Sequence, residues 1–217
     1  RPIVLHDHTG GKDDILWYAP GPIADELWVE RDSDATPEQR LQQRIDGRYQ
    51  PFVGDWDGNG LDEPFWYAPG PAADYEWRAN GDGTFRSIDR QVAGTYQPIT
   101  RDHAHFDGKT YDDIVWVGAA TGSVWRNDRG HFYPETIGGW PGRATAIGSP
   151  GNSGFDVVLW GRPGTERGID ADNLDNGILP LSPTSLPVDA DRLAVGDFDG
   201  DGCSDLLWWT PGAAPDA

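Results

Sequence analysis

The sequence predicts an all-β protein built from a repeated unit, and three observations predict it. Short apolar runs alternate with turns rich in Gly, Pro, Asp and Asn along nearly all of the 217 residues, which is the punctuation of strands and tight turns. Glycine (29) and proline (18) are abundant, and tryptophan (11) is far above ordinary usage. Third, a segment recurs: "DDILWYAPGPIADELW" at 13–28 returns as "DEPFWYAPGPAADYEW" at 62–77. Looser copies are "DDIVWVGAATGSVW" at 112–125, "FDVVLWGRPG" at 155–164 and "SDLLWWTPG" at 204–212. The acid opening each apolar run is Asp14, Glu63, Asp113, Asp156 or Asp205, spaced 49, 50, 43 and 49 residues apart.

A period near fifty residues, filled with short strands, suits the four-stranded antiparallel blade of a β-propeller. The expected architecture is one propeller domain over residues 1–217, with approximate repeats 1–47, 48–96, 97–141, 142–190 and 191–217. That makes five blades, the last incomplete. In the first repeat, "TPEQRLQQRID" at Thr36–Asp46 reads as a helix, with Thr36 as cap and Pro37 in the first turn. The second repeat shows the blade in order. Its first strand is Gln50–Trp56, an acidic loop follows, and its second strand is Pro64–Ala68. The "PGPAAD" turn leads to a third strand at Tyr75–Ala79, "NGDG" at Asn80–Gly83 signals a hairpin, and the fourth strand is Thr84–Val92. The second strands are apolar on consecutive residues, as a strand buried on both faces requires.

The acidic loops carry the chemistry. In the second repeat the loop holds Asp55, Asp57, Asn59, Leu61 and Glu63; in the last it holds Asp197, Asp199, Asp201, Cys203 and Asp205. Oxygen side chains fall at positions 1, 3, 5 and 9, glycine at 6 permits the tight turn, and position 7 (Leu61 or Cys203) can offer a backbone carbonyl. This is the ligand pattern of calcium. A helix–loop–helix site is not expected, because position 12 holds no glutamate and the flanks read as strands.

"VGDFDGDGCSDLLWW" and "VGDWDGNGLDEPFWY" resemble the FG-GAP/VCBS repeats of integrin-α-type β-propellers. The tandem "FWYAPGPAADYEW" pattern is similar to secreted actinobacterial proteins with such repeats. The resemblance implies a structural calcium in the loop between the first two strands of a blade. It also implies an extracellular location and binding of protein or glycan.

Three loops depart from the pattern. The first places His6, His8 and Gly10 at positions 1, 3 and 5, a poor set for a hard cation. The third places His105, Asp107 and Lys109 there, so the Lys109 ammonium is expected to stand between Asp107 and Asp113 in place of a metal. The fourth, counted from Ser149, is one residue short and nearly free of acids. "HDH" (His6–His8) and "HAH" (His103–His105) also allow a zinc reading, though each begins a degraded calcium loop.

Trp17, Trp66 and Trp116 recur at one repeat position and Trp28, Trp77 and Trp125 at another. Blade packing explains both sets. The sharper reading is that some of the third-strand tryptophans Trp28, Trp77 and Trp125, with nearby Asp25, Asp74 and Arg78, line sugar-binding pockets between blades.

The formal net charge of -19 argues against nucleic acid as a partner. Cys203 is the single cysteine, so no intrachain disulfide forms, and no apolar run is long enough to span a membrane. The chain has no methionine, not even an initiator, and so reads as processed or excerpted. No nucleophile elbow, zinc-protease or phosphate-loop motif is present. The expected function is a non-catalytic, calcium-stabilised recognition module, secreted, with extracellular glycan or protein as partner. The alternatives are a glycan-active hydrolase, or the propeller part of one, and a structural propeller within a larger assembly. Because "WWTPGAAPDA" (208–217) stops before its third-strand tryptophan, three explanations fit the last blade. The natural chain continues, a partner chain completes the blade, or a two-stranded blade closes the ring.

Overall fold

The computed structural model describes residues 1–6, 12–29, 39–100, 111–118 and 122–137, the backbone of six later strands, and the side chains of residues 198, 199, 205 and 207. Among the described residues there are eighteen strands and no helix. They form four four-stranded sheets and one two-stranded sheet, all antiparallel. The chain divides into two compact units, Arg1–Tyr96 and Gln97–Ala217.

In the first unit, β1 (Pro2–Leu5), β2 (Asp14–Trp17), β3 (Asp25–Val29) and β4 (Gln39–Gln43) make the first sheet in chain order. Next, β5 (Gln50–Gly54), β6 (Glu63–Tyr67), β7 (Asp74–Ala79) and β8 (Phe85–Arg90) make the second. The helix expected at Thr36–Asp46 is therefore corrected: Gln39–Gln43 is a strand, paired with β3 so that Leu41 faces Leu27. Alternation decided it. Leu41 and Gln43 are half-buried while Arg40 and Gln42 are exposed, and pairing with β3 outweighs a helix propensity spread over Gln and Arg.

In the second unit, β9 (Gln97–Ile99), β10 (Ile114–Val117), β11 (Gly122–Asp128) and β12 (His131–Ile137) form one sheet. A second contains β13 (Arg143–Gly148), β14 (Val157–Gly161), β15 (Ile169–Asn173) and β16 (Gly177–Leu179). The remaining pair is β17 (Arg192–Gly196) with β18 (Asp205–Trp209). Within each unit the first strands of successive sheets lie side by side: β1 against β5, and β13 against both β9 and β17. Sheets that meet through their first strands fit a β-propeller-like fold.

The core of the first unit lies between its two sheets. Ile3, Leu5, Leu16, Leu27 and Val29 of the first sheet meet Trp66 of the second, with Tyr75, Trp77 and Phe85 packed against the cluster. β6 is buried at all five positions, which explains its unbroken apolar run.

Two polar ties recur in both sheets of the first unit, at the same repeat position. The Tyr18 hydroxyl donates to the Gly47 carbonyl (3.1 Å) and accepts from the Tyr49 amide (2.8 Å). The Tyr67 hydroxyl does the same with Gly94 (3.0 Å) and Tyr96 (2.8 Å). Gly94 has φ of 138°, and a Cβ there would stand 2.6 Å from the Tyr96 ring, so only glycine lets the tyrosine fold back.

Candidate functional site

The acidic loop of the second sheet is a backbone cage around carboxylates. One Asp55 oxygen accepts the amides of Gly58 (2.7 Å) and Asn59 (3.1 Å), and the other accepts that of Gly60 (2.8 Å). Asp57 accepts Asn59 N–H at 3.2 Å, and the Asn59 side chain accepts Leu61 N–H at 2.7 Å. Gly58 and Gly60 take φ of 75° and 79°, the conformation the loop needs to turn its amides inward. From the start of β6, Glu63 reaches back and accepts the Trp56 amide at 3.0 Å, while the Trp56 indole donates to the Glu63 carbonyl at 2.7 Å.

These bonds bring one ligand oxygen each from Asp55, Asp57 and Glu63 within 4.8 Å of one another. Glu63 is fully buried, and its Oε1 has no hydrogen-bond partner among the described residues. Burial pushes its carboxyl up to about 9; Asp57 adds to the rise and Arg78 opposes it. Arg78 is the cation at the cage, 3.1 Å from Asp57 and 2.5 Å from Glu76. Glu76, fully buried, also pairs with Arg90 at 2.6 Å.

A calcium ion fits this donor set. The ligands are hard oxygens, they are already gathered, and a buried carboxylate oxygen stands without a partner. Asp55, Asp57 and Glu63 would hold the ion. Asn59 and Asp57 keep lone pairs beyond the amides they accept. At position 7, Leu61 buries its side chain, which leaves its carbonyl as the group it can offer.

In the last repeat the described residues are fewer. The Phe198 amide donates to Asp205 at 2.9 Å, which reproduces the Trp56–Glu63 bond. Asp199 is exposed and Asp205 half-buried. Asp197, Asp201 and Cys203 lie outside the described residues, as do His8, Gly10, His103, His105, Asp107, Lys109 and the fourth loop. In the first repeat, His6 turns its backbone to the second loop: its amide donates to the Asp62 carboxylate (2.8 Å) and its carbonyl accepts the Asp62 amide (2.6 Å).

Within the first unit, Trp77 lies on the opposite face of β7 from Asp74 and Arg78. Side chains alternate across a strand, so Asp74, Glu76 and Arg78 share one buried face of β7 while Tyr75 and Trp77 share the other. Asp25 and Asp74, the candidate sugar acceptors, lie inside the first unit. Both are fully buried, and their two oxygens are occupied by their own blade. Asp25 accepts the amides of Ala19 (2.7 Å) and Ile45 (2.9 Å); Asp74 accepts those of Ala68 (2.8 Å) and Val92 (2.6 Å). Arg78 belongs to the acidic cage instead. Trp28 packs on Trp17 at 5.2 Å under the Arg40 guanidinium, and Trp125 packs between Trp116 and Phe132.

Trp77 does line a cavity. A groove of about 320 Å³ opens between the two sheets of the first unit, bounded by Tyr49, Tyr75 and Trp77 with Arg44, Asp46 and Ser87 at its rim. Of these, only Trp77 was among the expected ligand residues. The "YQP" recurrence at Tyr49–Pro51 and Tyr96–Pro98 was a signal for Tyr49 that spacing alone did not interpret.

Residues 190–217, which contain the last acidic loop, match the FG-GAP repeat. No curated protein matches the chain. The repeat match and the sheet architecture together point to a β-propeller-type recognition module. No helix among the described residues is long and apolar enough to cross a membrane.

Proposed function

We propose that the chain is a calcium-stabilised, non-catalytic recognition module that works outside the cell and binds extracellular glycan, with protein as the alternative ligand class. One observation carries the calcium part: three carboxylates converge within 4.8 Å, and the buried Oε1 of Glu63 lacks a partner. Bound calcium would supply positive charge to that cage and tie the loop to β6. The recognition part rests on the FG-GAP match and on inter-sheet surfaces rich in aromatic side chains.

Thermal unfolding with calcium and with excess chelator tests the reading. At calcium near 100 times its dissociation constant, linkage adds about 2.7 kcal/mol. For a chain of this length that raises Tm by roughly 5–10 °C. Asp57→Ala and Asp199→Ala should each remove part of the rise. Superimposable melting curves in calcium and in chelator would overturn structural calcium.

A further inference from the structure

β7 separates two environments. Its Glu76 and Arg78 face the acidic cage, and its Tyr75 and Trp77 face the groove toward the first sheet. The groove belongs to no part of the calcium loop. At about 320 Å³ it lies at the small end of the usual range for small-molecule pockets, roughly 300–1,000 Å³.

Its surfaces have a definite chemistry. Tyr49, Tyr75 and Trp77 are half-buried, so each leaves part of a ring open. They meet edge-to-face, Tyr49 and Tyr75 at 6.2 Å and 76°, above the fully buried Trp66, which Trp77 meets at 5.1 Å and 66°. Phe85 stacks on Trp77 at 5.5 Å and 28°, so what is left exposed of Trp77, with the exposed parts of Tyr49 and Tyr75, is the aromatic surface available to the C–H face of a saturated ring. At the rim, the Arg44 Nε bonds the Asp46 carboxylate at 2.9 Å, and both side chains are largely exposed. No other charged side chain lines the groove. The rim therefore sums to zero charge. An aromatic site alone would favour a cation, but Arg44 opposes one, and Asp46 opposes an anion. The paired ions still offer guanidinium N–H donors and carboxylate lone pairs side by side. Vicinal hydroxyls, each both donor and acceptor, match that arrangement, and the Ser87 hydroxyl adds a third polar point.

We infer that this groove binds a neutral pyranose ring, stacked on Tyr49, Tyr75 or Trp77 and hydrogen-bonded by Arg44, Asp46 and Ser87. The inference rests on the recognition reading above and names the site and ligand class for it. It is independent of calcium.

The test is titration of the intact chain in calcium, followed by tryptophan fluorescence and calorimetry. The probes are neutral hexoses and N-acetylhexosamines, with sialic acid and choline as charged controls and a glycan array alongside. A neutral sugar should bind saturably and more tightly than either charged probe. Arg44→Ala and Asp46→Ala should each weaken it about tenfold or more, since each removes a charge-assisted hydrogen bond. Both residues are exposed, so an unchanged melting curve will show that the fold is intact. Sugar binding that survives both substitutions would overturn the groove while leaving the recognition reading in place. Tighter binding of sialic acid or choline would overturn the neutral ligand. Silence of the whole array would overturn glycan recognition itself, and the groove with it.

Discussion

In the first sheet, Trp17 and Trp28 sit 5.2 Å apart and Trp17 is 37% exposed. In the second, Trp66 and Trp77 hold the same repeat positions at 5.1 Å, and Trp66 is 1% exposed. The geometry of the pair belongs to the repeat. Its burial belongs to the neighbour: Leu16 and Leu27 of the first sheet, and Ile45 just after it, share a cluster with Trp66. The partner residues differ accordingly. Arg40 lies opposite Trp28 and covers its ring at 4.5 Å, whereas the smaller Ser87 lies opposite Trp77 and leaves room for the groove.

The opposite faces of the third strands diverge further. Where β3 buries Leu27 and Val29, β7 buries Glu76 and Arg78. The ion pair accompanies the complete acidic loop and touches it through Asp57. The aliphatic pair accompanies the degraded loop that begins at His6. Two repeats with one skeleton thus carry different chemistry at the positions that the skeleton does not use.

The largest expected effect contrasts the tryptophans. Trp66→Ala should cost about 3–5 kcal/mol, as for other buried tryptophans. Trp17→Ala should cost about 1–2 kcal/mol, because it is 37% exposed already. Urea unfolding followed by tryptophan fluorescence measures both, and equal losses would break the comparison.

Next come the third strands. Arg78→Val alone should cost about 3 kcal/mol by leaving buried charge short of a partner. The double change Glu76→Leu/Arg78→Val copies Leu27 and Val29 and should fall within about 1 kcal/mol of the parent in excess chelator. A double variant no more stable than the single one would show that the pair does more than balance its own charge.

The smallest effect concerns what the sheets share. Asp25→Ala and Asp74→Ala each strip two backbone amides of their acceptor, at a cost of about 2 kcal/mol each. Losses that differ by more than about 1 kcal/mol would sharpen the contrast between the sheets, because the tie would then depend on its surroundings.

Much of this architecture was legible in the chain. The recurrence of "WYAPGP" marked the second strand and its turn twice, and both copies are strands followed by the same turn. The acidic loop was legible because its acidic and amide side chains lie within nine residues, where local spacing dictates geometry. The strand at Gln39–Gln43 was not legible. Its Gln, Arg and Leu residues are good helix formers, so the local signal pointed to a helix, and pairing with β3 assigned the strand. The roles of Asp25 and Asp74 were half-legible: their register was plain, but the amides they accept lie as far as twenty and eighteen residues away.

By itself, the sequence determined the repeat, the strand-rich class and the clustering of Asp55, Asp57 and Glu63, because each is set by spacing along the chain. Only the tertiary structure decided which tryptophan is covered, which face of β7 meets the acids, and that Tyr49, Tyr75 and Trp77 enclose a groove with Arg44 and Asp46. Those facts depend on residues distant in sequence meeting across two packed sheets, and the period of two along β7 sends neighbouring residues to opposite sides of that packing.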